Sequence, residues 1–152
     1  MQIDTGIPYT ATFDNFTHPA SVTDIVQLAT TASVPILVQR VVATAGVTTS
    51  NIIRVQAVLR TTTGTGGTGV TPRPLIGSAA AVTTASYNVV TTQGALGNIF
   101  DSQEWNNFAP YELNLKPGGI FVPVSGFFSL FTTTAPAGTF PCSFTVEFVE
   151  FK

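Results

Sequence analysis

Residues Ile52–Leu75 read IIRVQAVLRTTTGTGGTGVTPRPL, and two incompatible folds can be drawn from them. Ile53, Val55, Ala57 and Leu59 alternate with Arg54, Gln56, Val58 and Arg60, the period-2 pattern of a strand with one buried face. The run Gly64-Thr65-Gly66-Gly67-Thr68-Gly69 then matches G-x-G-x-x-G, the turn that cradles a dinucleotide pyrophosphate. Such a site needs a helix opening within the glycines and an acidic residue about 20 positions later for the ribose. Pro72 and Pro74 follow instead, and proline lacks the N–H that a propagating helix uses. No Asp or Glu occurs between Asp24 and Asp101, and the P-loop lysine is missing. The stretch predicts a strand, a flexible Thr/Gly loop over Thr61–Thr71 and an extended Thr71–Leu75, with no cofactor bound.

The same alternation recurs elsewhere. Cys142, Phe144, Val146 and Phe148 alternate with Ser143, Thr145 and Glu147. Further strands are predicted over Tyr9–Thr17, Asp24–Thr30, Val34–Thr44, Ile120–Val124 and Phe127–Thr133, with two weaker ones inside Ala79–Phe100. Turns fall at Ala45-Gly46, Pro117-Gly118-Gly119, Ser125-Gly126 and Ala135–Gly138. One short helix is expected over Asp101–Phe108, with Asp101 as its N-cap. The expected fold is all-β: a single antiparallel β-sandwich domain over residues 1–152, or a jelly-roll-like barrel, with long loops.

Composition agrees with strands and bounds the function. Threonine, stiff at χ1 and suited to a pleated surface, supplies 25 of 152 residues. Charged residues make up 9%, against roughly 25% in ordinary soluble domains. A net charge of −2 gives little mutual repulsion, which suits a subunit that spends its life against partners. The six basic residues are scattered, so no nucleic-acid-binding patch is expected. Cys142 is the sole cysteine, which rules out an intrachain disulfide and a cysteine-based zinc site. No metal-binding loop of the calcium type is present. The first twenty residues hold no continuous apolar core, so no secretory leader is expected, and the uncharged stretch Pro74–Phe100 is too polar for a membrane span.

Few residues suggest chemistry. His18 with Cys142 could form a dyad, but a thiol on an alternating apolar strand is expected simply to pack. Asp101 and Glu104 could work with Glu112 as acid and base, or merely cap and solvate a helix. Trp105 and Tyr111, among Asn106 and Asn107, read as an exposed aromatic patch able to stack on a sugar or anchor an interface, or as a core-edge Trp under a loop. The Thr/Gly loop is expected to be mobile in the free protein, since ordering glycine is entropically costly. It is expected to order against a neighbouring chain, with Thr63, Gly64, Gly66, Gly67, Thr71 and Arg73 as contacts.

Two motifs carry a resemblance. Ile52–Leu75 is similar to a signature in small virion proteins of tailed bacteriophages, in which a strand with a basic residue leads through a Gly/Ser/Thr loop to Thr-Pro-x-Pro-Leu. Ala135–Glu150, APAGTFPCSFTVEFVE, resembles the ending of that group, a proline turn before a last strand closing on acidic residues. The two motifs cover about a quarter of the chain in matching order. Between Asp101 and Phe121 this chain is richer in Asn and aromatics than the group. The resemblance implies a capsid decoration (cement) protein on the head surface. It would be a homotrimeric β-sandwich, made in the host cytoplasm, that bridges capsomers of the major capsid protein or contacts another virion protein. It implies no enzyme activity, cofactor, metal, nucleic acid or membrane. A tail, baseplate or fibre subunit is the alternative from the same context. A carbohydrate-binding module using Trp105 and Tyr111 is the alternative from another class.

Overall fold

The computed structural model describes residues 6–47, 49–89 and 91–152, so residues 1–5, 48 and 90 of the stretches above lie outside the described residues. In chain order the strands are β1 (Ile7–His18), β2 (Asp24–Ala29), β3 (Ile36–Ala45), β4 (Ile52–Arg60), β5 (Thr68–Val70) and β6 (Arg73–Pro74). There follow β7 (Thr84–Val89), β8 (Leu96–Asn106), β9 (Tyr111–Asn114), β10 (Ile120–Val122), β11 (Phe127–Thr132) and β12 (Phe140–Glu150). They form two antiparallel six-stranded sheets. One runs β10-β3-β12-β1-β6, with β9 also on β3; the other runs β5-β7-β2-β11-β4-β8.

The pairing is that of a long hairpin rolled up. β1 lies on β12, β2 on β11, β3 on β10 and β9, and β4 on β8, and successive pairs fall in alternate sheets. The roll closes where β12 also pairs β3 and β11 also pairs β4. This is the connectivity of a jelly roll, which hides apolar faces between two sheets. Strands β5, β6 and β7 are an insertion at the hairpin's tip. β7 and β5 widen one sheet beside β2, and β6 widens the other beside β1.

The core lies between the sheets. Phe144, Val146 and Phe148 of β12 are at most 1% exposed, as their alternation requires, and Tyr9 stacks on Phe148 with ring centroids 5.8 Å apart. Ile53, Val55 and Ala57 of β4 face them from the other sheet and are fully buried. At Asn15, φ is +45° where β1 shifts register against β12, the extra residue of a bulge.

The expected helix over Asp101–Phe108 is not formed. Asp101–Asn106 is the second half of β8, pairing with β4 from Ile52↔Asn106 to Ala57↔Asp101. Asp101 caps nothing; it sits where the β8 register shifts. Of the weak strands expected within Ala79–Phe100, β7 and the start of β8 are present.

Candidate functional site

The tip insertion is the part of the molecule that the roll does not require. Its Thr/Gly segment is held by its own chain. Thr61 N–H donates to Ala95 O (2.9 Å), Thr65 N–H to Thr92 O (2.8 Å), and Ala95 N–H to the Thr62 hydroxyl (2.8 Å). Its glycines serve close packing. A Cβ on Gly64 would lie 2.3 Å from a Val89 methyl, and one on Gly66, whose φ is +83°, 2.0 Å from the Thr91 hydroxyl. Part of the stretch expected as an irregular loop is thus paired within its own chain. Glycine here removes side chains from a tight seam between two segments of one chain, and Thr68–Val70 is a short strand.

Beneath this seam, on the outward face of β4, lies a buried pair, of which Arg60 is the member that the strand's alternation placed on its wet side. Arg60 is 6% exposed and Asp24 fully buried. The guanidinium donates two hydrogen bonds to the carboxylate, Nε to Oδ2 at 3.2 Å and Nη2 to Oδ1 at 2.5 Å. It also lies 4.4 Å from the centre of the Phe131 ring. Burial pushes the Asp24 carboxyl up from its ordinary value, and the hydrogen bonds and charge of Arg60 oppose that rise. Gln27, with the Thr63 hydroxyl at 3.5 Å, and Ser129 fill the same face. No local spacing announces this pair, because its members come from different strand pairs of the roll.

Trp105 and Tyr111 are 2% and 3% exposed, which corrects their reading as an exposed patch. Trp105 hangs from β8 and meets Tyr111, Phe140 and Phe144 of the opposite sheet edge-on, at 6.2, 5.9 and 5.6 Å. Its indole N–H donates to Ala109 O at 2.8 Å. The aromatics bridge the sheets and leave no stacking platform for a sugar. Burial raises the Tyr111 phenol well above its ordinary value.

His18 and Cys142 are both in the interior. The imidazole stacks on Phe140 at 4.9 Å and shares a 2.6 Å hydrogen bond with Pro19 O through Nδ1. Burial pushes the Cys142 thiol up to about 12, against a weak opposing pull from the His18 backbone N–H. A thiol held protonated is a packing group rather than a nucleophile. The acids also stay apart. Glu104 pairs with Arg54 at 3.2 Å, and Glu112 pairs with Arg40 on the other sheet at 3.0 Å. Asp101 accepts from Gln103 at 2.8 Å. Among the described residues no three His, Cys, Asp or Glu side chains come together to hold a metal ion, and no helix is long and apolar enough to cross a membrane.

Two surface features remain. Thr71 and Arg73 come together with Thr10, Thr12 and Val70 around an open groove of about 320 Å³. Thr63, Gly66 and Gly67 lie exposed along the insertion and Gly64 is half-buried, away from that groove's lining. The second feature, missed by sequence reasoning, is β8. Leu96, Ile99 and Phe100 are 50%, 50% and 47% exposed on this edge strand, with Ile52 (62%) beside its far end and Phe108 (59%) just beyond it. A charge-free apolar stretch in a chain this poor in charge was its only signal. Comparison with known proteins finds no matching protein family, no similar curated protein and no similar solved structure.

Proposed function

We propose that this chain is a bacteriophage virion structural protein, a capsid decoration (cement) subunit that assembles as a homotrimer and bridges capsomers of the head. The observation that carries the reading is the β8 edge. Natural sheets blunt their edges with short strands, proline or charge. β5, β6, β9 and β10 follow that rule, at three, two, four and three residues. β8 offers eleven residues, and its first half exposes Leu96, Ile99 and Phe100. These three, with Ile52 beside the strand and Phe108 beyond it, each stand about half exposed or more. Exposed apolar side chains along one edge suit a surface that a partner covers. Glu104 on this strand is already paired with Arg54 of its own chain, so covering that pair strands neither charge. The jelly roll is a fold that builds capsids, although lectins and other proteins use it too. The two resembling motifs fall on the strand leading into the insertion with its tip, and on the last strand.

Light scattering coupled to size exclusion is expected to give the trimer mass, and Leu96→Asp/Ile99→Asp to give a folded monomer. A monomeric wild type at micromolar concentration would count against assembly through this edge. Copy number in purified particles separates the head from its rival. Hundreds of copies place the protein on the capsid, whereas a handful place it in the tail, baseplate or fibre.

A further inference from the structure

The chain has six Lys and Arg residues, and five are matched by a carboxylate of their own chain. Arg40 meets Glu112 and Glu147, Arg54 meets Glu104, Arg60 meets Asp24, Lys116 meets Glu147 and Lys152 meets Glu150. Among the described residues Arg73 alone has no such partner. It is exposed, on the two-residue strand β6, directly across from Thr10. Cross-strand neighbours share a face, so Arg73 projects with Thr10 and Thr12 to the outside of the sheet. There it lines the groove of about 320 Å³, whose other walls are Thr71 and Val70.

We propose that this groove is a carboxylate-binding site. Guanidinium presents paired N–H donors that fit the two oxygens of a carboxylate. Three threonine hydroxyls around it can donate to the same oxygens, and Val70 supplies an apolar wall for the carbon next to the carboxyl. One isolated cation balances one negative charge, not the several of a polyphosphate or nucleic acid.

The carboxylate has two possible sources. The first is a second copy of the chain. Asp14 is exposed on the same face of β1 and among the described residues meets no cation, its Oδ1 accepting from the Ser143 hydroxyl at 3.0 Å. Four residues along a strand is about 13 Å, too far for Asp14 to reach Arg73 within one chain. This source rests on the assembly reading above; the site itself does not. The second source is any other molecule that carries a carboxylate.

The test has two arms. In the first, amide spectra of the labelled protein are followed while acetate replaces chloride at constant ionic strength. Saturable shifts confined to Thr10, Thr12, Val70, Thr71 and Arg73, and lost in Arg73→Gln, are expected. No saturable response, or the same response in Arg73→Gln, would overturn the site. The second arm compares self-association of Arg73→Asp, Asp14→Arg and the double variant by sedimentation. If a copy supplies the acid, each single change weakens association about tenfold and the double change restores it. If all three associate as the wild type does while acetate still binds, the carboxylate comes from a different molecule. A wild type that is monomeric would sink the assembly reading and leave the acetate arm to decide this one.

Discussion

The His18 ring is fully buried against Phe140, and among the described residues its Nε2 finds no hydrogen-bond partner. Burial holds its pKa below the ordinary value of 6.5. The unfolded chain therefore takes up a proton near that pH which the folded chain refuses, so stability falls as pH drops below about 6.5. One such proton contributes up to about 1.4 kcal/mol per pH unit. Asp24 shifts in the opposite sense for a carboxylate, so only a comparison of variants isolates the histidine. Urea midpoints of wild type and His18→Phe, measured from about pH 7.5 to 5.5, are expected to diverge. The wild type should lose stability faster; parallel curves would show that His18 accepts a proton in the folded state. At this scale, single-residue reading worked where a side chain's fate is decided by its own strand. Cys142, Phe144 and Phe148 alternate and are buried as expected. It left Trp105 open between an exposed patch and a core-edge position, because its neighbours in sequence are polar. Its neighbours in space are Phe140, Phe144 and Tyr111 from the facing sheet, and the structure puts it at the core.

Elements were legible in proportion to their regularity. β1, β2, β3, β4, β10, β11 and β12 announce themselves by alternation and turn residues, and their bounds fall within about two residues of the expected ones. β8 does not. Its register shifts twice against β4, and its inward positions at the margin of the sheet include Asp101 and Gln103, so polar residues stand where alternation asks for apolar ones. An acid at Asp101 then reads as a helix cap. The Thr/Gly segment is ambiguous for a related reason: glycine marks both a chain free to move and a chain too crowded for a Cβ. Gly94 belongs to the crowded kind, since a Cβ there would lie 1.9 Å from the Thr62 carbonyl oxygen, whereas one at Gly138 would meet nothing within 4 Å. Gly94→Ala is expected to cost about 1–3 kcal/mol as a backbone overlap that must be relieved. Gly138→Ala should stay within about 0.5 kcal/mol of wild type. Equal thermal midpoints for the two variants would mean that the insertion is loose after all.

Across the whole molecule, strands were legible but partners were not. Pairing β1 with β12 and β2 with β11 depends on which faces can be hidden together once the entire chain is present, and no local pattern encodes it. Arg60 and Asp24 show the consequence. One ends β4, the other begins β2, and both belong to an outward face that a strand pattern would leave wet. The roll brings them together beside β11, and the tip insertion then covers them. This pair ties the end of β4 to the start of β2. Removing one member leaves a buried charge with no counter-charge, so Arg60→Met is expected to cost about 3–5 kcal/mol. Replacing both with apolar groups removes the desolvation cost along with the attraction, so Asp24→Leu/Arg60→Met should be more stable than Arg60→Met alone. Urea unfolding of the two single variants and the double gives the coupling directly. If the double variant loses the full sum of the singles, the two charges are solvated independently, and the insertion does not seal this face of the sandwich.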